Sequence, residues 1–156
     1  MLIGSVADRV KNRFPRPTYC DCCGSHNVHL QKRSLMGLPT QNKWDLVWHC
    51  GNCNALVGCH HGTDIPLGRL ADRETRRARY ELHRAFDPLW KKHGWRREAA
   101  YAWLARTLNL SEAEAHIGLL DVDACRKAHL ALLTVKTDLA PRKRHWSQDK
   151  RKRRNK

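Results

Sequence analysis

Two pairs of cysteines, Cys20-x-x-Cys23 and Cys50-x-x-Cys53, constrain this chain more than any other feature of its sequence. Each pair presents two sulfurs from one tight turn, and two such turns complete a tetrahedral sulfur shell around Zn²⁺. Gly24, directly after Cys23, suits a knuckle whose backbone N–H groups approach the sulfurs and need unusual dihedrals. Short segments of strand character lie between and after the pairs, at 28–32, at 46–48 leading into Cys50, and at 55–57. They predict a zinc ribbon, a unit with too few apolar residues to fold without its metal. Disulfides and an iron–sulfur centre are the other uses of this spacing.

Cys22 makes the first pair ambiguous, and the two-residue gap with the following glycine favours Cys20 with Cys23. Cys59, His49, His60 and His61 lie near the second pair. One of them is a substitute or second-site ligand, or they pack and hydrogen-bond beside the ribbon; no second ligand spacing accompanies them. Cys125 falls in an apolar helical pattern and reads as a buried thiol.

From about residue 70 to 133 the pattern turns helical. Ala78, Leu82, Ala85, Phe86 and Leu89 share one helix face, while Arg73, Arg76, Arg77 and Arg84 gather on another. A second helix is predicted from 96 to about 108, burying Ala100, Tyr101, Leu104 and Leu108. Ser111 and Glu114 form the pattern of a capping box opening a short third helix, and a fourth runs from about 122 to 135. Trp90, Trp95 and Trp103 belong to apolar helix faces and read as core. Upstream, Val6, Val10 and Phe14 recur every four residues and predict a small amphipathic helix ending before Pro15. Residues 62–68 read as a loop or hinge, and Gly37, Pro39 and Asn42 mark a turn-rich connection. The expected fold class is α+β. A lead-in over 1–18 precedes a small zinc-ribbon β-hairpin subdomain over 19–68, a helical subdomain over 69–138 and a disordered basic tail over 139–156.

The charge narrows the choice of partner. Thirty Lys and Arg face 15 Asp and Glu, for a formal net charge of +15, and the pI is near 10.0. One zinc on four thiolates lowers the charge by only about two units. Much of the excess sits in the last 16 residues, where Arg142, Lys143, Arg144, Lys150, Arg151, Lys152, Arg153, Arg154 and Lys156 oppose Asp149 alone. Such a block repels itself and is expected to be disordered when free. Trp146 stands inside it, either as a solvated residue or as an aromatic for stacking on an unpaired base. No stretch approaches the roughly 18 apolar residues of a membrane span, and the start lacks a basic leader ahead of an apolar run. The expectation is a cytoplasmic protein in a reducing compartment, with no membrane partner.

The run Ala55-Leu56-Val57-Gly58-Cys59-His60-His61-Gly62-Thr63-Asp64-Ile65-Pro66-Leu67-Gly68-Arg69-Leu70-Ala71 carries a family resemblance. So do His83-Arg84-Ala85-Phe86-Asp87-Pro88-Leu89-Trp90, the run from Arg97 to Leu104, and His116-Ile117-Gly118. Together, over roughly residues 19–133, these resemble the zinc-finger-containing domain family of unknown function found in bacteriophages and prophages. The resemblance implies a phage or prophage origin and zinc binding through the two cysteine pairs; it supplies no activity.

The expected function is binding of DNA or RNA, in transcription regulation or DNA metabolism of a phage inside its bacterial host. The ribbon is a rigid platform, and Arg73, Arg76, Arg77 and Arg84 are placed to track phosphates. The basic tail adds sequence-blind affinity through counterion release. Trp44 and Trp48 flank the hairpin as base-stacking candidates, with core packing the plainer use of Trp48. Residues 101–117 faintly resemble a helix-turn-helix, yet Glu112, Glu114 and His116 stand where base-reading Arg, Asn or Gln are expected. The alternative is an adaptor that docks on a host protein such as RNA polymerase. A metal-dependent nuclease is the third class. His49, His60, His61, His83, Asp64, Asp87 and His116 are scattered for that purpose, without paired carboxylates or a phosphate-cradling glycine loop. His83 and Asp87, one helical turn apart, read as a simple pair.

Overall fold

Three short strands follow the first cysteine pair: β1 (Val28–Lys32), β2 (Leu46–Cys50) and β3 (Leu56–Gly58), antiparallel and in the order β1-β2-β3. The computed structural model describes residues 10–11, 13–38 and 44–135. Register pairs Val28 with Cys50 and Leu30 with Trp48, then Trp48 with Val57 and His49 with Leu56. The central strand therefore carries a cysteine ligand at its end and buries Val47, His49 and Cys50. The buried cluster around the cysteines holds Cys20, Cys50, Ala55, Val57 and Leu70, with Val28 and Trp48 packed against it. Two of its five buried members are thiols rather than hydrocarbon. A cluster with so much of its burial in thiols is one whose packing a bound metal completes.

The helical part has its own, larger core. Helix α1 (Arg73–Phe86) begins where extended Asp72 accepts the Thr75 N–H at 2.8 Å, and it buries Leu82 and Phe86. It stops at Asp87 because Pro88 opens a separate single turn, α2 (Pro88–Lys91), where a missing N–H costs nothing. Leu89, placed by period on the α1 face, is thus carried by α2 and still buried. Helix α3 (Arg97–Leu108) ends in Asn109, whose φ is 57°. Helix α4 (Val122–Leu132) is capped by Asp121, which accepts the Ala124 N–H at 2.8 Å. Phe86 lies at the centre, with Trp90 and Tyr101 edge-on at 5.0 and 5.1 Å. Trp90, Trp95 and Trp103 are partly buried against this core.

The expected third helix does not form. Its capping box does: the Ser111 N–H donates to the Glu114 carboxylate at 3.0 Å, and the Glu114 N–H to Ser111 Oγ at 3.3 Å. One turn follows, His116 is extended, and Ile117–Leu119 is a 3-10 turn. The second helix of a helix-turn-helix is therefore missing at 112–119. Residues 62–68 are the expected loop, and it is packed down. Thr63, Ile65, Pro66 and Gly68 are buried, and Cys59 bridges to Pro66. The described residues from Val10 to Phe14 carry no helix. Val6, Pro39, Asn42 and the basic segment 139–156, with Trp146 and its lysines and arginines, lie outside the described residues.

Candidate metal centre

The two knuckles repeat one backbone pattern. In the first, the Cys20 N–H donates to Ser25 O and the Gly24 N–H to Cys20 O, both at 2.8 Å. In the second, the Cys50 N–H donates to Ala55 O at 2.9 Å and the Asn54 N–H to Cys50 O at 3.0 Å. The residue after each second cysteine is left-handed, with φ of 72° at Gly24 and 61° at Asn54. Glycine takes that conformation freely, and asparagine is among the few other residues that visit it routinely. An asparagine directly behind Cys53 is the sequence signal of the second knuckle's geometry, and it passes unnoticed beside the more familiar glycine.

These turns bring four sulfurs together. Cys20 Sγ lies 3.5 Å from Cys53 Sγ, Cys23 Sγ lies 3.7 Å from Cys50 Sγ, and all four fall within 4.8 Å of one another. Zn–S bonds of about 2.3 Å give a tetrahedron with edges of about 3.8 Å, so the donor set fits one zinc ion. A disulfide needs about 2.05 Å, and all seven cysteines are free thiols. Cys20 and Cys50 are buried while Cys23 and Cys53 face solvent. Crowding shapes the protonation of the metal-free set. Backbone N–H groups, chiefly that of Cys53, draw Cys50 down to about 7. Cys53 feels the Ala55 N–H pulling downward, yet desolvation and its sulfur neighbours push it up to about 12. One thiolate is thus accommodated and the next is opposed, until a dication balances the charge. Zinc held by Cys20, Cys23, Cys50 and Cys53 has its four positions filled by protein. It fixes shape and offers no site to water or substrate.

The neighbouring candidates are used otherwise. Cys22 Sγ turns to Leu70 O at 3.8 Å, which resolves the ambiguity of the first pair. His49 receives the Gln31 side-chain amide on Nδ1 at 2.8 Å and reaches Asn54 Oδ1 from Nε2 at 3.2 Å, so both ring nitrogens are occupied. His61 lies tilted against Trp44 at 5.7 Å, and burial lowers the pKa of His60. Burial likewise pushes the Cys59 thiol up to about 12 and that of Cys125 up to about 11. The indole N–H groups of Trp44 and Trp48 donate to Thr63 O and Asp64 O, each at 2.8 Å, tying the hairpin to that loop. His83 meets Asp87 at 3.1 Å, and Lys91 shares the same carboxylate.

The centre also sets the start of α1. Asp21, inside the first knuckle, accepts the Leu70 N–H at 3.2 Å, two residues before the Asp72 cap. The arginines of the face beyond differ in their engagement. Arg76 is half-buried and donates to Ala71 O at 2.8 Å, and Arg77 pairs with Glu81 at 2.9 Å. Arg73 is exposed, and the Arg84 guanidinium lies 5.9 Å from the Tyr80 ring centre. Among the described residues neither Arg73 nor Arg84 has a carboxylate within ion-pair distance. Arg79, which helical period sets apart from this group, is a structural brace. It donates to Leu120 O at 2.8 Å and Arg69 O at 3.0 Å, and burial lowers its pKa.

Residues 16–134 match the model of a family described as a zinc-finger-containing domain, and the chain belongs to that family. No curated protein and no solved structure matches the chain.

Proposed function

We propose that this zinc-finger-containing domain protein binds nucleic acid through the arginine face of α1, assisted by its basic C-terminal segment. We place it in a phage or prophage, acting in the cytoplasm of the bacterial host in transcription regulation or DNA metabolism. The observation that carries the reading is the cationic face, where Arg73 and Arg84 carry charges that no carboxylate neutralises among the described residues. Arg33, from the turn after β1, adds to it. Burial first, and then the charge of Arg33, lowers the pKa of Arg76, so like charges from ribbon and helix are crowded together. A polyanion relieves that repulsion and releases its own counterions. The zinc contributes indirectly, since the knuckle that holds it also holds the α1 entry through Asp21.

The test is a salt titration of binding to labelled DNA and RNA of about 30 nucleotides, by the full chain and by variants. Direct binding weakens steeply with salt. Arg73→Ala with Arg84→Ala lowers the log–log slope by about one unit for each phosphate that is no longer neutralised. Deleting residues 141–156 flattens the slope further. Absence of binding, or a slope that ignores these changes, refutes the reading. Nuclease-resistant capture of a host protein such as RNA polymerase, without direct binding, puts the adaptor reading in its place.

A further inference from the structure

One aromatic side chain stands in the middle of the arginine face. Arg73, Arg77, Tyr80 and Arg84 follow one another at spacings of four, three and four and so lie in line along α1. Tyr80 is 62% exposed and makes no hydrogen bond among the described residues. It adds nothing to the helical core, which is built from Leu82 and Phe86 on the opposite side of the same helix. Tyrosine is also a poorer helix former than the lysine or alanine that an idle surface position favours. Arg84 holds its guanidinium over the ring at 5.9 Å, a cation–π arrangement that braces the ring and leaves it open to solvent.

We infer that this face takes single-stranded nucleic acid, with one unpaired base stacked on the Tyr80 ring and the neighbouring phosphates held by Arg73 and Arg84. An aromatic flanked by cations is the arrangement that tracks an unpaired strand, because every base offers a flat face whatever its sequence. The stretch from Arg73 to Arg84 spans roughly 16 Å along the axis, room for a few nucleotides. A duplex keeps its bases stacked on one another and presents Tyr80 with no free face. The crowding of Arg33 and Arg73 against Arg76 extends the positive potential from one end of this line toward the ribbon. The inference rests on the nucleic-acid reading above and names its substrate class.

The test uses the full chain with oligothymidine and oligouridine probes of about 15 nucleotides, each carrying one 5-iodouracil, against a hairpin duplex of equal length, in about 0.2 M salt. Photocross-linking is expected on Tyr80, in the tryptic peptide 80–84. Tyr80→Ala weakens single-strand binding about tenfold and changes duplex binding less than about twofold, while Tyr80→Phe behaves as wild type. The DNA and RNA probes report which strand is preferred. Zinc content and thermal midpoint of the variants show that the fold is intact, as the exposure of Tyr80 predicts. Unchanged single-strand affinity in Tyr80→Ala, equal losses on strand and duplex, or cross-links only elsewhere overturn this inference and leave the broader reading standing. Failure of the wild-type chain to bind any probe overturns both.

Discussion

Gly68 and Gly118 meet backbone to backbone, and a Cβ on either would overlap main-chain atoms of the other's segment, the Gly118 carbonyl in one case and Leu67 O in the other. The Arg69 N–H donates to Gly118 O at 3.0 Å across the same contact. The chain leaving the ribbon is thereby fastened to the 3-10 turn that lies over the helical core through Ile117. Gly118→Ala or Gly68→Ala forces backbone apart, since no flexible side chain can swing aside. A loss of about 3 kcal/mol, at the upper end for overpacking, is expected. Thermal unfolding of the zinc-loaded variants measures it, and an unchanged midpoint would contradict the close approach of the two glycines.

Asn54 supplies two things at once, a left-handed backbone at φ 61° and an acceptor for His49 at 3.2 Å. Asn54→Gly keeps the backbone and loses the hydrogen bond. Asn54→Ala loses both and adds strain, so it should be the worse of the two by about 1 kcal/mol. Competition with a zinc chelator reads the order directly. Equal zinc affinities for the two variants would remove the left-handed backbone at Asn54 from any role in shaping the knuckle.

Asp72 caps α1, and the Thr75 N–H it accepts holds its carboxyl below the usual value of 3.8. A carboxyl depressed in the folded state stabilises it fully above the unfolded pKa of about 3.9. That contribution fades as pH falls through the lower folded value. Asp72→Ala should cost about 1 kcal/mol at neutral pH, and Asp72→Asn much less, because asparagine also caps. Carboxyl chemical shifts should place the Asp72 midpoint below 3.8. A midpoint above that would mean the cap is not formed in solution.

The ribbon and helical cores are separate clusters, and two of the five buried residues of the ribbon core are zinc ligands. Chelation should therefore melt the sheet first. Amide exchange at Val47 and Val57 should rise well before exchange at Leu82, Leu104 and Ala128. Simultaneous loss of protection in both parts would show that the helices, too, depend on the metal.

Much of this architecture is legible in the sequence because it rests on local periods. The cysteine spacing locates the knuckles, alternation locates β1, the apolar run Leu46-Val47-Trp48 ahead of Cys50 locates β2, and the four-residue spacing of Leu82 and Phe86 gives the buried face of α1. What escapes depends on distant partners. The capping box at Ser111 and Glu114 forms as its residues demand, but Gly118 must lie against Gly68, and that approach goes with an extended His116 instead of a continued helix. Helical period groups Arg73, Arg76, Arg77 and Arg84, yet it cannot show that Arg76 folds back onto Ala71 or that Arg77 is taken by Glu81. Nor can it show that Arg79, which it places off this face, is a brace tied to Leu120 O and Arg69 O. Tyr80 is hidden among helical aromatics until its exposure is known.

X-ray absorption at the zinc edge of the intact protein tests the zinc assignment most directly. One zinc per chain with four sulfur neighbours at about 2.3 Å is the expected result, and Cys50→Ser should lose stoichiometric zinc. A protein without tightly held zinc, or a shell containing nitrogen or oxygen in place of one of the sulfurs of Cys20, Cys23, Cys50 and Cys53, would contradict it.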